Sequence, residues 1–262
     1  MSTLNVAIVQ KALHWHEPAK NLRMFAEALH GHQEPADLFV LPEMFTTGFT
    51  MQAQANAEPM DGPSVTWMAE TAGRLDTSLC GSLVIEDNGE YFNRFILMFP
   101  DGDYRCYDKR HLFRLAGEHE HYSAGSSVVT IELEGWRIRP MVCYDLRFPV
   151  WSRNTGDYDL LIYVANWPDR RHLAWETLIR ARAIENLAYL AAVNRIGVDG
   201  NDVNYRGGSA IVDYLGQHLV SMAGESAVKS ATLEKLPLEK FREKFPFNLD
   251  ADRFSITDRK ES

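Results

Sequence analysis

LNVAIVQKALHWHEPAKNLRMFAEALHGHQEPADLFVLPE, residues 4–43, holds three differently patterned segments in a row. Residues 4–10 are a β-branched apolar run of strand type, and residues 19–31 carry apolar side chains at helical spacing before stopping at Gly31. Residues 36–43 form a second, buried-type strand that ends in Pro42 and Glu43. This is a strand-helix-strand unit, the repeating element of layered α/β folds.

The same alternation continues outward from that unit. A second helix is predicted over 63–76, and 78–113 reads as a meander with turn signals at DNG and PDGD. Strands are expected within 137–144 and 159–167, a long helix over 172–187, and strands with turns over 188–201 and 207–222. The tail from Lys235 is polar and contains proline, which suggests a docking arm rather than core. No low-complexity linker or repeat divides the chain, so a single domain spanning 1–262 is expected, with 235–262 as that arm.

Composition narrows the function. With 262 residues, 45% hydrophobic and 24% charged, the chain has enough apolar content for a substantial core and is not of the disordered class. A formal net charge of -9 argues against a nucleic-acid partner, because phosphate binding needs a basic face. A small-molecule partner is expected. The start lacks a basic stretch followed by a long apolar segment, and no run reaches membrane-spanning length, so the expected location is the cytoplasm. The cysteines are Cys80, Cys106 and Cys143, without Cys-x-x-Cys spacing, so neither a disulfide framework nor a thiolate zinc site is signalled.

Three chemistry-bearing residues end strand-like runs: Glu43 after LFVLP, Lys109 after YRCYD and Cys143 after IRPMV. Each alone has a plain structural reading, as a turn carboxylate, a surface lysine and a buried thiol. Together they supply a base to deprotonate a thiol, a nucleophile, and a cation for a developing oxyanion.

The stretches around them, LPEMFTTGF, YDKRHLFRLAGEHEHYSAG and MVCYDLRFP, resemble in order and separation the three motifs of the nitrilase (carbon-nitrogen hydrolase) superfamily. VAIVQ, NRFILMFPDG and ANWP add to the resemblance, which covers nearly the whole chain. It implies a four-layer αββα sandwich, a Glu43-Lys109-Cys143 catalytic set, no metal or organic cofactor, and a homodimer. The nearest branch is the omega-amidases, which hydrolyse the side-chain amide of 2-oxoglutaramate and similar 2-oxo acid amides such as 2-oxosuccinamate. Other branches act on N-carbamoyl amino acids, nitriles or other amides through the same groups, and a non-catalytic scaffold of the same fold is the alternative of a different class.

The resemblance also assigns finer roles. The backbone N–H of Tyr144 would join Lys109 at the oxyanion. A second glutamate precedes an SPG-like turn; aligning on SAG (123–125) points to Glu118, with Glu120 two residues away left open. Arg147 is the candidate for a substrate carboxylate, against an internal ion pair with Asp145 or another acid. Phe45, Asn166 and Trp167 are candidates for the pocket wall, against core packing. His111, His119 and His121 beside two glutamates can be drawn as a metal site, but lack a helical His-x-x-x-His pair, and loop histidines are the reading preferred here and for His14 and His16. Nothing around Cys143 resembles a Cys-His protease signature.

Overall fold

The computed structural model describes residues 2–257. Its first strand, β1 (Thr3–Gln10), shows how the layers arise: Leu4, Val6 and Ile8 enter one apolar core while Ala7 and Val9 enter another. A strand buried on both faces belongs to a sheet covered on both sides. The chain continues through α1 (Pro18–His30), β2 (Leu38–Val40), the one-turn α2 (Ala53–Asn56), α3 (Pro63–Leu75), β3 (Ser78–Asp87), β4 (Glu90–Met98) and β5 (Tyr104–Asp108). Pro18 and Pro63 each open a helix, where the missing N–H costs nothing. The second half comprises β6 (Ile131–Leu133), β7 (Trp136–Val142), β8 (Leu160–Ala165), α4 (His172–Asn186) and β9 (Tyr189–Asn194). It continues through a ribbon of β10 (Ile196–Val198) and β11 (Asn204–Arg206), then β12 (Ala210–Val212), β13 (His218–Ser221), β14 (Ala227–Glu234) and α5 (Lys235–Lys244).

Two six-stranded mixed sheets result, ordered β14-β1-β2-β3-β4-β5 and β13-β12-β9-β8-β7-β6. One core holds Phe25 and Leu29 of α1 and Val65, Met68 and Ala72 of α3 against the first sheet. The other joins the inner faces of both sheets and takes in Trp175, Ile179 and Ala183 of α4 and Leu238 of α5. The layers are therefore helix, sheet, sheet, helix, the αββα sandwich expected from the sequence. Apolar burial on this scale holds them together, at about 1.5–3 kcal/mol for each large side chain taken fully out of water.

One segment differs from the sequence reading. β14 was not anticipated: AVKSATLE has no apolar run, because it is an edge strand that is mostly half-buried, paired antiparallel to β1 from Thr3↔Glu234 to Gln10↔Ala227. The tail expected as a docking arm begins with a helix. Its first ten residues are α5, anchored by Leu238 and by Lys235 and Arg242 on the buried Asp159. Arginine and lysine contacts hold Asp159 far below the usual carboxylate range despite its burial. Beyond α5 the chain carries exposed Phe247, Leu249, Phe254 and Ile256, and 258–262 lie outside the described residues.

Candidate active site

The ends of β2 and β5 in one sheet and of β7 and β8 in the other converge, and each delivers one of the groups singled out above. Glu43 follows β2 on a loop tied to β3, with Phe45 N–H donating to Ser82 O (3.2 Å) and Met44 N–H to Ser82 Oγ (2.9 Å). Lys109 follows β5, its N–H bonded to Asn93 O (3.0 Å), and its carbonyl accepts from Gly125 N–H (3.0 Å). Gly125 has to be glycine, because a Cβ there would run into the Asp108 carbonyl oxygen.

Cys143 directly follows β7 with φ +45°, a left-handed conformation that non-glycine residues adopt at a cost. The fully buried Asp145 holds this corner. Its Oδ2 accepts from Val142 N–H (3.0 Å) and Tyr107 OH (2.8 Å), and its Oδ1 from His111 N–H (3.0 Å) and lies 2.7 Å from His111 Nδ1. The loop that carries Lys109 is thereby fastened to the loop that carries Cys143.

At the centre, the Lys109 ammonium is buried between two carboxylates, 3.0 Å from Glu43 Oε1 and 2.9 Å from both oxygens of Glu118. Asn93 Nδ2 donates to Glu43 Oε1 (2.8 Å) and to Glu118 Oε1 (3.3 Å), and is itself oriented by Ser82 Oγ on its Oδ1 (2.8 Å). Glu43 Oε2 accepts from Asn166 N–H (2.8 Å), and Asn166 Nδ2 donates to the Glu43 carbonyl (2.6 Å). Glu118 also accepts from Phe113 N–H (2.5 Å).

Charge follows from these contacts. Burial disfavours the lysine cation, but Glu118 and Glu43 outweigh it and push the Lys109 pKa far up, so it stays protonated. Burial pushes the Glu118 carboxyl up against the pull of Lys109. Burial also pushes the Cys143 thiol well above its ordinary value, with Glu43 adding to this as charge and hydrogen-bond acceptor. Cys143 therefore rests as a thiol beside a carboxylate.

Cys143 and Lys109 line a cavity of about 350 Å³, at the small end for ligand sites. Tyr144, Arg147, Asn166 and Trp167 line it as well. Arg147 does not pair with Asp145, whose oxygens are taken by the contacts above; its guanidinium lies over the Trp167 ring, 4.9 Å from the centroid.

Phe45 is a correction. Its side chain is fully buried in the helix-side core, edge-on to Phe25 and packed against Gly81, where any Cβ would meet its ring. That packing keeps its ring out of the cavity, whose aromatic wall comes instead from Phe49, Phe113, Tyr144, Tyr205 and Trp167. Of the two glutamates, Glu118 reaches Lys109, while Glu120 is exposed beside His119. His111 stacks on Phe148 at 3.8 Å and binds Asp145, and His16 stacks on Trp15. No group of three or more His, Cys, Asp or Glu suited to a metal occurs among the described residues. Sequence reasoning passed over Asn93 and Ser82 and named Asp145 only as a partner for Arg147; Asn93 lay in the NRFILMFPDG stretch and Asp145 in MVCYDLRFP.

A thiol, a lysine and two carboxylates gather where two stacked sheets end, the groups that a thiol-dependent hydrolase needs as nucleophile, cation and base. The chain belongs to the carbon-nitrogen hydrolase family, whose model matches residues 5–234. It is 48% identical to the omega-amidase YafV of Yersinia enterocolitica over 98% of this chain and 100% of that protein. Its identity to the 2-oxoglutaramate amidase of Bacillus subtilis is 31%, covering 92% of this chain and 95% of the relative. Among solved structures, a CN-hydrolase superfamily protein of Xanthomonas campestris, with an arsenic adduct in its active site, superposes with a TM-score of 0.95. It shares 45% identity, over 98% of this chain and 100% of that one.

Proposed function

We propose that the protein hydrolyses the omega-amide of small 2-oxo acid amides, 2-oxoglutaramate and 2-oxosuccinamate, to the dicarboxylate and ammonia, through a thioester on Cys143. The observation that carries this is the buried Glu43-Lys109-Glu118 cluster beside the thiol, on a cavity sized for a small substrate. The activities named for the Yersinia and Bacillus relatives support the choice of amide.

Glu43 takes the thiol proton as sulfur attacks the amide carbon. The cluster's total charge is unchanged by that transfer, so no additional charge has to be buried. A Lys109 N–H and the Tyr144 N–H receive the developing oxyanion; removal of one such donor typically costs about 100- to 1,000-fold in rate. Glu43 then returns its proton to the leaving ammonia. The same carboxylate activates water against the thioester, which releases the acid and restores the thiol. Glu118 and Asn93 keep the lysine and Glu43 in register, and Arg147 receives the substrate carboxylate.

Residues 1–262 act as one domain, working in the cytoplasm as a symmetric homodimer. Exposed Leu173 and Ile184 on α4 and Phe247, Leu249, Phe254 and Ile256 after α5 support an apolar contact with a second copy. No described helix is long and apolar enough to cross a membrane.

The test is ammonia release by purified protein from 2-oxoglutaramate, glutamine, an N-carbamoyl amino acid and a simple nitrile, each repeated with Cys143→Ala. Release from the 2-oxo amide above the others, abolished by the substitution, is expected. Preferential release from another substrate would reassign the branch, and release that survives Cys143→Ala would overturn the mechanism.

A further inference from the structure

Arg171 and Arg170 join Arg147 around the cavity, a concentration of positive charge that the hydrolytic steps do not use. The Arg171 guanidinium lies over Phe113, 4.9 Å from the ring centroid, as that of Arg147 lies over Trp167. Phe113 in turn packs edge-on against Tyr144, the neighbour of Cys143. A guanidinium held over a ring face keeps N–H groups free to bind a carboxylate. Among the described residues neither arginine has an acidic partner.

The cavity offers them none. Among its described lining residues the acid is Asp199, whose Oδ2 accepts from Tyr205 OH (2.8 Å) and whose Oδ1 accepts from the N–H groups of Asn201 (2.8 Å) and Val203 (3.0 Å). Burial and then the charge of Arg170 hold the Arg171 pKa below its ordinary value, with Arg147 contributing in the same direction. An anion between the guanidiniums relieves that repulsion; a cation adds to it.

We propose that Arg171 closes with Arg147 on the carboxylate remote from the scissile amide, and that the same pair rejects an α-ammonium group, so that the site selects 2-oxo acid amides over amino acid amides. This rests on the amide-hydrolase reading and assigns its substrate selection. A 2-oxo group beside the carboxylate is an acceptor that arginine N–H groups satisfy. An ammonium at that carbon meets guanidinium charge, with the Asp199 carboxylate already occupied by three donors.

Calorimetric titration of Cys143→Ala protein with 2-oxoglutarate and with glutamate, with and without Arg171→Gln or Arg171→Glu, tests this without turnover. With Arg171 present, 2-oxoglutarate should bind the tighter of the two. Arg171→Gln should weaken 2-oxoglutarate by about 10- to 100-fold, the worth of a charge-assisted contact. Arg171→Glu should narrow or invert the preference. Unchanged 2-oxoglutarate binding overturns the proposal, and so does an equal loss for both ligands, which is what a merely structural role would produce. Hydrolysis of 2-oxoglutaramate by the unsubstituted protein is scored separately, so failure of the clamp and failure of the amidase reading give different results.

Discussion

Asp145→Asn isolates the corner that carries Cys143. In the native protein each carboxylate oxygen serves one backbone and one side-chain partner: Oδ2 takes Val142 N–H and Tyr107 OH, and Oδ1 takes His111 N–H and faces His111 Nδ1. Asparagine keeps the shape but turns one oxygen into an NH2 group. The side-chain partners can adjust, since a tyrosine hydroxyl rotates and an imidazole changes tautomer. The backbone partners cannot. Whichever way the amide faces, a buried N–H of Val142 or His111 loses its acceptor, at about 1–3 kcal/mol, and the remaining bonds lose their charge assistance, giving about 3 kcal/mol in all. For a chain of this length that corresponds to a fall of roughly 6–12 °C in Tm. kcat should fall as well, because Val142 precedes Cys143, while the KM for 2-oxoglutaramate should change little. Thermal melts and steady-state kinetics read both. A variant within 1 °C of the parent and with full kcat would refute the claim that this carboxylate holds the corner.

Other outcomes follow from the same contacts. Glu118→Gln should lower kcat by 100-fold or more, on the order of losing an oxyanion donor, because Lys109 loses its bidentate partner; Glu120→Gln should leave kcat within about twofold. Lys109→Met leaves two buried carboxylates facing each other and should destabilise the fold by about 3–5 kcal/mol besides abolishing turnover, measured by urea unfolding and ammonia release. Stability should fall as pH rises above about 8.5, where unfolded thiols ionise. Burial holds Cys106 up to about 12 and raises Cys80 and Cys143, so the folded chain keeps protons that the unfolded chain releases. That contribution is complete below pH 8.5 and lost progressively towards 12, and Cys143→Ala should make the decline shallower in melts between pH 7.5 and 10.

The layered architecture was legible because β1, α1 and β2 carry unmixed periodicities, and Glu43, Lys109 and Cys143 because each ends such a segment inside a motif. Glu118 was reachable through the SAG turn that folds back on Asp108. Phe45 misled because proximity to Glu43 in sequence does not say which way a loop side chain turns, and its ring packs into the helix-side core against Phe25 and Gly81. Asn93, Asp145 and Arg171 act across strand ends that are distant in the chain. Their roles exist only after the two sheets meet, which no local pattern encodes. β14 was missed for the opposite reason: an edge strand needs little apolar content, since its pairing with β1 supplies its order.

Rapid acid quench of the protein turning over 2-oxoglutaramate, followed by mass spectrometry of its peptides, tests the central claim most directly. An acyl mass on the peptide containing Cys143, formed in step with the first equivalent of ammonia and absent from Cys143→Ala, is the expected result. Ammonia released with no adduct at any quench time, and undiminished in Cys143→Ala, would contradict it.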